Sequence, residues 1–181
     1  MQLIESRTRM SAAALRHIMQ ARRGSFQPSL REDLGFPGMA ILQFAFGNDA
    51  HADDFKPHNY PRNLVVYTGT HDNDTTVGWW NSYGVGESTR TPEDIDKERA
   101  FTRAYLGFGD EPVNWVFIRT ILASVAGMAI MPLQDVLGLG SSARMNLPGT
   151  LSGNWKWRYR ATDLTPEIAA RLKSLTVLYD R

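Results

Sequence analysis

Three short apolar runs, separated by longer stretches of mixed polarity, set the framework of this chain. Residues 39–44 (MAILQF) are almost continuously apolar and follow the turn residues Gly35-Phe36-Pro37-Gly38, which predicts a strand. So little polar interruption favours a parallel strand covered on both faces. Residues 63–70 (NLVVYTGT) predict a second strand from their β-branched side chains, and residues 128–137 (MAIMPLQDVL) a third. Between and after them the period lengthens. Residues 92–106 predict a helix, with Thr91 as N-cap and Pro92 at the first helical position. Residues 112–126 predict another, because Val113, Val116, Phe117, Thr120 and Ile121 recur at helical spacing. A last helix is expected over 166–179 after the cap Thr165, and residues 29–34 read as the end of an earlier one. Polar stretches at 47–62 and 138–154 read as loops. Parallel strands joined by helical crossovers indicate an α/β fold, although residues 45–62 show no helical pattern.

Composition narrows the picture only slightly. The 181 residues are 43% hydrophobic and 22% charged, ordinary for a globular domain. No apolar run approaches the roughly 20 residues that span a bilayer. A net charge of +1 gives no general attraction to nucleic acid or membranes. Cysteine is absent, which removes disulfides, thiolate metal sites and a cysteine nucleophile, and fits a reducing cytoplasm. Five Trp, six Tyr and eight Phe beside many Asn, Asp and Gly suit a carbohydrate site, since sugars offer an apolar ring face and a rim of hydroxyls. Residues 1–27 stand apart, with five arginines against the single acid Glu5. Residues 11–22 there fit a short helix capped by Ser11. A transit peptide shares this composition, but a solvated helix or irregular tail is the preferred reading.

Candidate chemistry concentrates at strand ends. Thr70-His71-Asp72-Asn73-Asp74-Thr75-Thr76 directly follows the second strand, and in parallel α/β barrels catalytic groups stand at the C-terminal ends of strands. The competing reading makes Asp72 or Asp74 the N-cap of a helix through Gly78 and Trp79. A metal phosphohydrolase is a weak alternative, because His17, His51 and His58 form no helical pair. A Ser-His-Asp triad lacks its G-x-S-x-G elbow. Gln134 and Asp135 end the third strand in the same way. The loop beyond, through Asn146, Trp155 and Trp157, either lines a sugar cleft or is a packed Ω-loop anchored by its tryptophans.

Five stretches in order, GFPGMAILQFAF at 35–46, PHNY at 57–60, VVYTGTHDNDTTVGW at 65–79, PLQDVLGL at 132–139 and ARMNLPGTLSGNWKW at 143–157, resemble the amylomaltases. These are the 4-α-glucanotransferases of glycoside hydrolase family seventy-seven, and the likeness covers about residues 28–178. The resemblance implies part of a (β/α)₈ TIM barrel, its last three strands and their helices, in residues 28–181, with residues 1–27 outside it. It implies transfer of an α-1,4-glucan segment to glucose or another glucan by a retaining mechanism, without metal or organic cofactor. Maltodextrins and starch are the implied partners; nucleic acid and membranes are not. It gives Asp72 the part of a third carboxylate that stabilises the transition state. His71, Phe44 and Asn146 become substrate contacts, and His58 and Asn59 border the cleft.

The match also has a gap. The nucleophile and acid/base strands are expected upstream of the matched segments. Glu32-Asp33-Leu34-Gly35 has the letters of the family's acid/base run, but it abuts the next strand directly, where a parallel crossover needs roughly a dozen residues. Glu32 therefore reads as the end of the intervening helix. A (β/α)₈ barrel takes about 250 residues and three strands cannot close one, so the chain is expected to be a piece of such an enzyme, catalytically incomplete and prone to aggregate.

Overall fold

The structure, a computed structural model, describes Arg31, residues 33–83 and residues 91–181. The helix expected over 11–22, the transit-peptide reading and Glu32 lie outside the described residues. The chain divides into two compact units, Met1–Pro37 and Gly38–Arg181. In the first, Arg31 and Asp33 are helical and a turn follows at Leu34 and Gly35, where Phe36 N–H donates to Arg31 O at 3.0 Å.

The second unit is built on a three-stranded parallel sheet. Its strands, β1 (Gly38–Ile41), β2 (Leu64–Tyr67) and β3 (Met128–Ile130), lie side by side in chain order. Ala40 pairs with Val66 and Val66 with Ala129, so these three share one face. The neighbouring rows, Met39-Val65-Met128 and Ile41-Tyr67-Ile130, share the other.

The two faces have opposite fates. Ala40 and Val66 are buried against α1 (Thr76–Asn81) and α3 (Val113–Ala123) in a core that includes Leu42, Phe46, Trp79, Phe117 and Ile121. Met39, Met128 and Ile130 are exposed. The continuous apolar run therefore overstated the cover: on the face away from the helical layer Ile41 is buried but Met39 is exposed, so β1 is covered on both faces only at its C-terminal end. The expected strand also ends early. Leu42–Ala45 turn into a 3₁₀ helix that swings Gln43 and Phe44 toward the strand ends. The third strand likewise stops at Ile130, since Pro132 starts the short helix α4 (Leu133–Val136).

α2 (Pro92–Leu106) forms over the residues its sequence signals mark. Thr91 accepts from Asp94 N–H while Asp94 accepts from Thr91 N–H, a capping box. Gly107 closes the helix at φ +63, a left-handed conformation that glycine adopts without a Cβ clash. α3 is apolar on two faces because it is sandwiched, and Arg119 on its remaining side reaches Glu111. Val113, Phe117 and Ile121 face the sheet core, while Trp115, Ile118 and Leu122 face α5 (Pro166–Leu178) and Val136. Full burial of a side chain such as Phe117 contributes about 1.5–3 kcal/mol. Arg181 fastens this layer by donating to Leu122 O at 2.9 Å, Ala126 O at 2.6 Å and Ser124 O. The bonds to Leu122 and Ser124 satisfy carbonyls at the end of α3, where a helix leaves them without intrahelical partners. The 45–62 crossover contains only 3₁₀ turns, Ala52–Phe55 and Pro57–Asn59. No helix among the described residues is long and apolar enough to cross a membrane.

Candidate active site

The site is assembled at the C-terminal end of β2 from three loops. The central one, residues 68–75, is held at both ends by a single carboxylate. Asp135 Oδ2 accepts from Thr68 Oγ1 at 2.5 Å and from Thr76 Oγ1 at 2.9 Å, and Asp135 Oδ1 accepts from Thr76 N–H at 2.7 Å. Asp135 is 1% exposed, and its burial raises the carboxyl above its ordinary value. The bonds from Thr68 and Thr76 pull in the opposite direction, and the Asp74 charge adds to the rise.

Within the loop, Asn73 Oδ1 accepts from Thr70 N–H at 2.9 Å and Thr70 Oγ1 at 2.8 Å, which turns the backbone so that His71 and Asp72 project outward. Neither aspartate caps α1. Thr75 does, accepting from Gly78 N–H at 3.0 Å. Asp74 is occupied elsewhere, accepting from Thr75 N–H at 2.8 Å and Ser141 Oγ at 2.6 Å. That arrangement requires glycine at 78, since a Cβ there would stand 2.5 Å from Asp74 Oδ1.

The loop after α4 grips the outward turn. Arg144 Nη2 donates to Asp72 O at 2.7 Å and its Nε to Asn146 O at 2.8 Å. Asn146 N–H donates to His71 O at 3.1 Å, and Asn146 Nδ2 donates to Asp72 Oδ1 at 2.5 Å. His71 Nε2 lies 3.3 Å from Asp72 Oδ2, and both side chains are about half exposed. From the β1 side, Gln43 Nε2 donates to Asp74 O at 2.9 Å. A carboxylate offers about four acceptor positions, so Asp72 keeps capacity toward solvent for hydroxyl groups.

Two concavities meet at this carboxylate. One, about 1730 Å³, is bordered by Phe44, Asp49, Asp54, Asp72, Tyr83 and Leu147. The other, about 770 Å³, has Ile41, Tyr67 and Ile130 from the open sheet face for a floor and His71, Asp72 and Trp155 along its rim. Phe44 borders both, its ring packed edge-on to Phe55 at 5.4 Å. The structure thus gathers Phe44, His71, Asp72 and Asn146. His58 and Asn59 border neither concavity: His58 Nδ1 meets the Tyr105 hydroxyl at 2.6 Å, and Asn59 Nδ2 donates to Asp53 O at 2.8 Å. Among the described residues no three His, Asp or Glu side chains group as metal ligands.

Sequence reading overlooked what Arg144, Asp135 and Trp155 do. All three lay in segments noted as polar or aromatic, but no spacing rule links Arg144 to a carbonyl 72 positions away.

Comparison with known proteins settles the family. The model of the 4-alpha-glucanotransferases, glycoside hydrolase family seventy-seven, matches residues 26–164. The chain belongs to the 4-alpha-glucanotransferase family. It is 48% identical over 155 residues to the 4-alpha-glucanotransferase of Synechocystis sp., covering 84% of this chain and 28% of that protein. It is 47% identical over 161 residues to that of Thermus thermophilus, covering 84% and 30%. An amylomaltase from Streptococcus agalactiae in complex with acarbose superposes with a TM-score of 0.75 at 34% identity, covering 88% of this chain and 31% of that one. The chain therefore spans less than a third of the length of these glucanotransferases.

Proposed function

We propose that this chain supplies the third carboxylate of a retaining 4-α-glucanotransferase. Asp72 is that carboxylate, His71, Phe44 and Asn146 contact the glucan, and the three strands occupy the last three places of a (β/α)₈ barrel. Residues 28–181 are the barrel part and residues 1–27 stand outside it. The carrying observation is the placement of Asp72: half exposed at a strand end, oriented by Asn146 and His71, at the meeting of two concavities.

The chemistry follows from charge. In a retaining transfer one carboxylate attacks the anomeric carbon, and a second protonates the leaving oxygen and later deprotonates the acceptor hydroxyl. An anionic third group bonded to ring hydroxyls gains strength as the sugar becomes oxocarbenium-like. The family resemblance gives Asp72 this third part, and the amide of Asn146 and the imidazole of His71 beside it support the reading by orienting the carboxylate. The substrates are α-1,4-glucans, maltodextrins and starch, with glucose or a glucan 4-hydroxyl as acceptor. No cofactor, nucleic acid or membrane takes part, and the cysteine-free composition fits a cytoplasmic setting.

A second reading concerns the 181 residues alone. They bind maltodextrin weakly and do not turn it over, because the matched motifs bring one of the three carboxylates. The test is calorimetry with maltoheptaose together with an assay of glucose release from maltotriose. Measurable binding is expected, weakened about tenfold in Asp72→Asn, with no glucose released. A chain that binds no maltodextrin would remove the glucan reading of this site. Disproportionation that vanishes in Asp72→Asn would overturn the second reading and keep the first.

A further inference from the structure

Trp155 has a backbone φ of 60, the left-handed region that aromatic residues rarely enter. It is not drawn there by core packing, because the residue is 53% exposed and belongs to neither buried cluster. The chain around it works to hold the conformation. Trp155 N–H donates to Met145 O at 2.7 Å. The preceding Asn154 closes its own loop, accepting from Leu147 N–H at 2.9 Å and donating to Thr150 Oγ1 at 3.0 Å. An unfavourable backbone kept by several bonds is a feature that clusters at binding and catalytic sites.

The orientation indicates which function. The Trp155 indole lies 5.0 Å from the His71 imidazole, the planes tilted by 38°. It stands on the rim of the smaller concavity that Asp72 also borders. We propose that Trp155 is a binding residue of this site. One part of its face takes the apolar face of a glucosyl ring, while the rest holds the His71 ring in place. The inference rests on the glucan reading of Asp72. It adds a stacking surface at right angles in kind to the hydrogen-bonding groups: flat and apolar where Asp72, His71 and Asn146 are polar. Sugar hydroxyls can then be met by the polar groups while the C–H face of the same ring is desolvated against the indole.

The test compares Trp155→Phe, Trp155→Leu and Trp155→Gly with wild type, by calorimetry with maltoheptaose and by thermal unfolding. Trp155→Phe keeps a flat face and is expected to bind within about threefold of wild type. Trp155→Leu keeps apolar bulk without the flat face and is expected to lose about tenfold. Trp155→Gly relieves the left-handed backbone, so its Tm is expected to stay at or above the wild-type value while binding again falls about tenfold. Wild-type affinity in both Trp155→Leu and Trp155→Gly would overturn the inference and leave the glucan reading intact. A lower Tm together with weaker binding in Trp155→Gly would also overturn it, making the indole a structural prop. A wild-type chain that does not bind would remove both.

Discussion

Asp72 and Asp135 each follow a strand of the same sheet, and each is a carboxylate near amides and hydroxyls. Their environments are opposite. Asp135 is enclosed, meets three donors from Thr68 and Thr76, and has no access to a ligand. The Asp72 side chain is half exposed, and among the described residues its carboxylate meets Asn146 and His71. The enclosed group holds both ends of the loop that presents the open one. Rigidity and exposure are thus divided between two side chains, and a single residue need not reconcile burial with openness to solvent.

Substitutions should separate the two. Asp135→Ala leaves two buried hydroxyls and a buried N–H without their acceptor, and is expected to lower stability by about 3 kcal/mol or more in urea unfolding. Asp72→Ala is expected to change it by less than about 0.5 kcal/mol, since an exposed side chain carries little of the fold. Equal losses would erase the division. A smaller effect is expected at Thr75, whose removal as helix cap in Thr75→Ala should lower stability by about 1 kcal/mol by the same measurement.

The finest distinction is in pH. Burial raises the folded pKa of Asp135 above its ordinary value, so the folded chain holds this proton more tightly than the unfolded chain. Its contribution to stability is therefore present at acid pH and lost as pH rises through the folded value. Asp135→Asn cannot titrate. The difference in Tm, wild type minus Asp135→Asn, is expected to grow in favour of wild type as pH falls toward the carboxylate range. Taking that difference cancels the opposite trend from Asp53, Asp94 and Glu167, whose values are lowered in the fold. A difference that shrinks on acidification would show Asp135 to be stabilised as the anion.

The sequence was most legible where local rules decide the outcome. The N-caps Thr91 and Thr165 and the prolines after them fix α2 and α5 to within a residue. The strands were placed but drawn too long, because Pro132 and the 3₁₀ turn at Leu42 act on pieces shorter than a periodicity window. The helix N-cap moved from aspartate to Thr75, since Asp74 is claimed by Ser141 from a loop 67 positions away. The same holds for the site. Asp72 and His71 were visible as a polar cluster after a strand, and Asn146 and Phe44 came in through resemblance. The grip of Arg144, the double hold of Asp135 and the tilted pair of His71 and Trp155 depend on contacts between distant segments, which composition and spacing do not encode.

Met39 and Met128 lie in one row across the open face of the sheet, and both thioethers reach water. Peroxide can therefore convert them to sulfoxides without prior unfolding. Each added oxygen makes that surface wetter and less able to seat against another apolar surface. The extent of oxidation at these two positions becomes a chemical gauge of whether anything lies over the sheet: fast labelling when it is bare, slow labelling when it is shielded.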